Sequence, residues 1–162
     1  MVDEILGEKD AGEMMTLQRA AYVSEAAMYE DFALRPLTET VDEIRAELAD
    51  PSVVALGVRE QGRLIGSVRV RRTGEDEAYV GRLVVAPDRQ GEGIGTHLLR
   101  VAESVFPAVH KIWLFTGELS EANIRLYTKM GYEETGRTSA GRYDMVYLAK
   151  TLPGAVTRRS AG

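Results

Sequence analysis

An α/β fold, α+β-like in being built on one mixed, mostly antiparallel sheet with helices on its flanks, is predicted by three features of the chain. Three short β-rich runs follow one another across polar turns between residues 53 and 85; a glycine-rich strand-to-helix turn comes next; and a further strand, Lys111 to Phe115, returns after that helix. Runs joined by tight turns pair antiparallel, whereas a strand-helix-strand crossover lays two strands parallel.

Taken in order, Met14, Leu17 and Ala21 recur at helical spacing. Val41, Ile44 and Leu48 repeat the pattern after Thr40, which completes a capping box with Glu43. Two amphipathic helices therefore lie near the start, and the loop between them, Tyr29 to Leu37, suits a substrate entrance. The acidic start, Met1 to Asp10, is assigned no element. Val53 to Val58 and Leu64 to Val70 form a hairpin about Gln61-Gly62, and Ala78 to Val85 returns after the polar turn Gly74 to Glu77. A helix from about Ile94 to Val105 carries Ile94, Leu98, Val101, Ala102 and Val105 on one face, closed by Pro107. After the strand Lys111 to Phe115, Ser120 is placed to cap a helix from Glu121 to Met130. Gly131 is placed for the left-handed turn at its end. Tyr132 to Thr138 and Tyr143 to Leu148 supply the last strands. Residues 1–153 read as one domain, and residues 154–162 as a flexible C-terminal tail.

Composition narrows the function. The 162 residues are 44% hydrophobic and 28% charged, an ordinary globular mixture. The formal charge of −5 opposes binding to phosphate backbones and mildly favours cationic partners, so no nucleic acid is expected. No stretch reaches the roughly 20 apolar residues needed to cross a bilayer, and the acidic start is unlike a signal peptide, so no membrane partner and a cytoplasmic location are expected. With no cysteine, an enzyme thioester is excluded, as are thiolate metal sites.

The richest stretch runs from Arg82 to Leu99, RLVVAPDRQGEGIGTHLL, where a strand ends, glycines crowd a turn and a helix begins. Gly91, Gly93 and Gly95 allow close approach of a ligand to the backbone, and a helix start turns unpaired N–H groups outward, which suits a pyrophosphate. A plain strand-to-helix turn is the simpler alternative for glycines alone. The spacing lacks the Lys-Ser/Thr of a P-loop and does not open a repeated βαβ unit as a dinucleotide site would.

The run Leu83-x-Val85-x-Pro87-x-x-Gln90-x-x-Gly93-x-Gly95-x-x-Leu98-Leu99 resembles the acetyl-CoA signature of the GNAT superfamily of N-acetyltransferases. Ser120-x-x-Asn123-Ile-x-Leu126-Tyr127-x-x-Met130-Gly131-Tyr132 resembles its second conserved segment. The resemblance implies the GNAT acyl-CoA N-acyltransferase fold and acetyl-CoA as co-substrate, with no metal. It implies that Gln90, Gly91, Glu92, Gly93, Ile94, Gly95 and Thr96 hold the pyrophosphate through backbone amides. Leu83, Val84 and Val85 would pair with the pantetheine arm like an added strand. Asn123 and Tyr127 would line the thioester end, with Tyr127 as the acid that protonates the leaving thiolate. Many members carry Asn where this chain has Ser120, and a Glu in the strand where it has Tyr79, Gly81 and Arg82, so no general base is identified. Homodimers are common in the family, and no residue here fixes an interface.

The implied reaction is direct transfer of acetyl to a primary amine of a small molecule or peptide. A non-catalytic acetyl-CoA sensor and an enzyme using a longer acyl-CoA are the alternatives. The remaining candidates have structural readings. Glu75, Asp76 and Glu77 read as a solvated turn, Glu118 as a helix-start charge, His97 and His110 as surface residues without a second metal ligand, and Trp113 as packing. Met14, Met15, Tyr22 and Tyr29 fit either a core stripe or an acceptor pocket.

Overall fold

The computed structural model describes residues 1–153. Its centre is a seven-stranded sheet in the order β1-β2-β3-β4-β5-β7-β6. The strands are β1 (Val2–Leu6), β2 (Val53–Glu60), β3 (Arg63–Arg72), β4 (Glu77–Val85), β5 (Lys111–Gly117), β6 (Glu133–Ser139) and β7 (Asp144–Thr151). The helices are α1 (Ala11–Tyr29), α2 (Arg35–Thr38), α3 (Val41–Ala49), α4 (Ile94–Ala102) and α5 (Glu121–Lys129). Every adjacent strand pair is antiparallel except β4 with β5.

Both faces of the sheet are covered. On one, Ile94, Leu98, Leu99 and Ala102 of α4 and Tyr127 of α5 pack on Val58, Ile65, Val68, Val80 and Leu114. On the other, Met14 and Leu17 of α1 and Ile44 of α3 meet Leu6, Ala55, Leu64 and Val84. Burying each such aliphatic side chain contributes about 1.5–3 kcal/mol, enough to hold short helices that would not persist alone. The capping box forms as expected: Thr40 Oγ1 accepts from Glu43 N at 3.2 Å, and Glu43 Oε1 accepts from Thr40 N at 3.0 Å.

Four sequence assignments shift. Met1 to Asp10 holds β1, which pairs with β2 although only Leu6 is buried; with Ile5 turned outward, no apolar alternation marks it. Part of the loop Tyr29 to Leu37 is helical, since Tyr29 closes α1 and Arg35 opens α2. Helix α4 stops at Ala102, before Val105, whose amide reaches only to Ala102 O in a following turn. Ser120 stands at the N-cap of α5 without capping it, because its hydroxyl is committed elsewhere. The expected tail, residues 154–162, lies outside the described residues.

The feature that makes a site is a split in the sheet. β4 and β5 pair only from Glu77 to Tyr79 against Lys111 to Trp113, and then part. At the same level β4 bulges: Arg69 faces Gly81 while Ser67 faces Val84, so Arg82 and Leu83 together oppose Val68. Arg82 takes φ +52°, the left-handed region. A bulge sharpens local twist and bends its strand away from a neighbour. Tyr79, Trp113 and Phe115 pack in the fork, with the Tyr79 ring centroid 4.5 Å from Trp113 and 5.6 Å from Phe115.

Candidate active site

A cavity of about 450 Å³ opens where the strands part. Its walls come from α1, α2, α3, β3, β4, β5, α5 and β7, so residues remote in sequence converge on it. Three groups of side chains give it its chemistry.

The first comes from α5. Asn123 and Tyr127, one helical turn apart, both line the cavity. Asn123 Nδ2 donates to Thr116 Oγ1 of β5 at 3.3 Å. Tyr127 is only 7% exposed, and burial pushes its phenol well above the ordinary tyrosine value, with the negative forms of Tyr22, Tyr79 and Glu25 adding to the shift. A phenol so placed stays protonated and remains a donor throughout the physiological range.

The second group is a stripe on α1. Tyr22, Glu25 and Tyr29 recur at helical spacing and all line the cavity, while Met14 and Leu17 point to the core and Met15 packs beside them. Tyr22 and Tyr29 thus line a cavity while Met14 lies in the core. Ser120 Oγ donates to Glu25 Oε2 at 2.6 Å and lies 2.7 Å from Tyr29 Oη. Since serine has a single hydroxyl proton, Tyr29 must donate to Ser120, giving a directed chain from Tyr29 to Ser120 to Glu25. Gly117 makes room for it: a Cβ there would lie 2.1 Å from Tyr29 Oη.

The third is an arginine-carboxylate network along β3 and β4. Arg69, 5% exposed at its side chain, donates to Gln18 Oε1 at 2.6 Å, Glu39 Oε1 at 3.0 Å and Glu47 Oε2 at 2.7 Å. Burial raises the Glu39 carboxyl, but hydrogen bonds from Arg69 and Gln18 and the charges of Arg69 and Arg82 outweigh that and leave it below the usual carboxylate range. Glu39 is therefore an ionised anchor, doubly held.

Beyond the cavity, the glycine-rich turn stands at the end of β4. Gly91 and Gly93 have φ of +79° and +85°, which turns the chain so that the first amides of α4 point outward. The first amide to bond within the helix is that of His97, on Gly93 O at 3.0 Å. Glu92 would repel an anion here, but Arg89 grips it at 2.9 and 3.0 Å while also holding Glu60. Gln90 is exposed, Ile94 is buried in the core, and Gly95 and Thr96 are half-buried. Leu83 lines the cavity; Val84 is buried on the α1 face and Val85 packs towards α4, so these two offer only main chain to a ligand. From Val80 to Val85, the side of β4 facing β5 has no strand partner. A free strand edge leading into a turn of open amides fits an extended arm ending in a pyrophosphate.

The other candidates keep to the periphery. His97 Nε2 meets Asp3 Oδ2 at 2.7 Å, and His110 Nδ1 meets Asp76 Oδ2 at 3.3 Å. Glu118 does not serve the helix start: its Oε1 accepts from Asp144 N at 3.0 Å, tying β5 to β7. Among the described residues, no three His, Asp or Glu side chains converge as metal ligands and no helix is long and apolar enough to cross a membrane. Glu25 and Arg82 were not identified as site residues from sequence. The stripe Gln18, Tyr22, Glu25 and Tyr29 on one face of α1 is the signal for the first; nothing local marks the second.

The chain belongs to the acetyltransferase (GNAT) family, whose model matches residues 13–132. The UPF0157 protein YqkA of Bacillus subtilis is 28% identical over 142 residues, 86% of this chain; the chain spans about two-fifths of that relative's length, 40%. Among solved structures, the PaiA N-acetyltransferase of Thermoplasma acidophilum in complex with coenzyme A has a TM-score of 0.75 at 19% identity, over 93% of this chain and 99% of that one. The ribosomal-protein-S18-alanine N-acetyltransferase of Escherichia coli has a TM-score of 0.77 at 18% identity, over 93% of each. At such identities these structures show the fold.

Proposed function

We propose that this chain is an N-acetyltransferase that moves acetyl from acetyl-CoA directly onto a primary amine. The observation that carries the reading is that Tyr127 and Asn123 share one cavity with Gly81, Arg82 and Leu83 of the unpaired stretch of β4, in a chain of the GNAT family. Leu83, Val84 and Val85 would hold the pantetheine arm by main chain. Gln90, Gly91, Glu92, Gly93, Ile94, Gly95 and Thr96 would hold the pyrophosphate by amides, and Asn123 the thioester end.

Acetyl-CoA supplies an activated carbonyl and a thiolate leaving group. Transfer forms a C–N bond and breaks the C–S bond, so the nitrogen must lose a proton and the sulfur gain one. Tyr127, kept protonated by burial, supplies the sulfur's proton. Glu25, with one oxygen held by Ser120, is the carboxylate of the cavity best able to receive the amine's. The base matters most for a lysine-like amine: at a pKa of about 10.4 roughly one in 2,500 is free at pH 7, a penalty of about 4.6 kcal/mol, against about 1.4 kcal/mol for an α-amine near 8.

Thiol release from acetyl-CoA with amino acids, polyamines, aminoglycosides and peptide N-termini tests this. Steady acceptor-dependent release is expected. Measured binding of acetyl-CoA without release with any of these amines would replace the enzyme by a sensor.

A further inference from the structure

Arg82 lines the cavity and, unlike Arg69 beside it, makes no side-chain hydrogen bond among the described residues. Its Nε is buried and has no hydrogen-bond partner among the described residues. The carboxylate oxygen facing it, Glu39 Oε1, stands 3.6 Å away, beyond hydrogen-bond range. That oxygen already accepts from Gln18 Nε2 and Arg69 Nη2, each at 3.0 Å, which occupies both its lone-pair directions. The neighbouring arginines are engaged through their terminal nitrogens: Arg69, whose buried Nε also lacks a partner, with Glu39, Glu47 and Gln18, Arg71 with Asp50 and Glu47, Arg35 with Glu43. About a fifth of the Arg82 side chain, 21%, stays exposed, and the residue lines the cavity.

Its backbone supports the same reading. Arg82 holds φ +52° inside the bulge, within a strand rather than at a turn, and such backbone conformations concentrate at ligand clamps. Glu25 lines the same cavity, and the Tyr22 phenol is in electrostatic reach of both. Burial raises that phenol, Arg82 opposes the rise and Glu25 adds to it. An acid with a hydroxyl relay and a half-free guanidinium therefore face one small volume.

We propose that the acceptor is an amine that also carries a carboxylate, an amino-acid-like zwitterion, whose carboxylate pairs with Arg82 while its amine lies at the Glu25 and Tyr127 end. The proposal rests on the acetyl-transfer reading and narrows its acceptor. A guanidinium presents paired donors that match the two oxygens of a carboxylate, and in a desolvated cavity such a pair outweighs the chain's overall negative charge, which alone would favour cations.

The test compares each free α-amino acid, and β-alanine, with its own carboxamide as acceptor. The carboxamide lowers the pKa of the amine and so raises its reactive fraction, which biases the comparison against the proposal. The best carboxylate acceptor should exceed its amide at least tenfold in kcat/KM. Arg82→Gln should bring that ratio near one, mainly through KM, and Arg82→Lys should restore part of it. A structural role for Arg82 would lower both acceptors alike. Equal or better use of the amide, a polyamine or peptide N-terminus preferred to every free amino acid, or a ratio that survives in Arg82→Gln, would overturn the assignment. Calorimetry of N-acetyl amino acids against their amides, with the wild-type protein and CoA, reads the same contact without turnover. An Arg82-dependent preference there would uphold the anion site even if no amine were acetylated; no preference would remove it.

Discussion

In the proposed reaction the turn after β4 and the cavity beside it would work by opposite means. The turn would work with main chain: two left-handed glycines and the open amides of a helix start, all within seven consecutive residues, Gln90 to Thr96. The cavity would work with side chains, drawn from α1, α2, α3, β3, β4, β5, α5 and β7 and tuned by burial and by one another. A pyrophosphate is the same in every acyl-CoA, so a backbone motif suffices to hold it. An acceptor must be distinguished from other amines, which takes side chains that a single local segment cannot supply. Substitutions in the turn should therefore change affinity for acetyl-CoA, and substitutions in the cavity should change turnover, acceptor choice or stability.

The strongest break in that contrast is expected at Tyr127. Tyr127→Phe keeps the ring and removes the proton, so kcat should fall about 10²–10⁴-fold while acetyl-CoA affinity persists. A variant retaining more than about a third of kcat, with chemistry rate-limiting, would remove the acid assignment. Arg69→Ala strips the buried network of its hub and leaves Glu39 with only Gln18 and the more distant Arg82, which should cost about 3 kcal/mol of stability in denaturant unfolding. A loss below about 1 kcal/mol would mean that water enters and replaces the arginine. Glu25→Gln should lower kcat/KM by about 10²-fold for amines protonated at the assay pH, and less for amines already free; an equal loss for both would make Glu25 a positioning residue.

In the turn, Gly93→Val should weaken acetyl-CoA by about tenfold, or 1.4 kcal/mol, in calorimetry. A side chain at Gly93 meets no protein atom within 4 Å, so the effect arises from the φ of +85° that valine resists and from the ligand's own space. Unchanged affinity in a folded variant would move the pyrophosphate elsewhere.

The smallest effect expected is the absence of one. An ordinary phenol would impose a falling limb on kcat near pH 10. Burial raises the Tyr127 phenol, so its protonated form persists past that value and the limb moves higher. The same shift contributes stability that is fully present below the unfolded phenol's pKa and is lost only as pH rises through the higher folded one. A limb near pH 10 that disappears in Tyr127→Phe would show that acetyl-CoA binding re-solvates the phenol.

Much of the fold was legible because its signals are local. The capping box at Thr40 and Glu43, the hairpin about Gln61-Gly62 and the left-handed Gly131 need only residues close in sequence. β1 escaped, since pairing with β2 rather than any apolar pattern makes it a strand. Ser120 shows the same limit in reverse. Its position marked a helix cap correctly, yet tertiary contact with Glu25 and Tyr29 redirected its hydroxyl to the cavity.

The sequence by itself determined the family signature, the glycine turn and the α5 stripe of Asn123 and Tyr127, because each depends on spacing within one element. Only the tertiary structure brought Glu25 and Arg82 to one cavity. Glu25 and Arg82 stand 57 residues apart by number, and their roles depend on a bulge that parts β4 from β5 and on Glu39 being already occupied by Arg69 and Gln18. Burial and competition for a shared oxygen are properties of assembled neighbours, and no local pattern carries them.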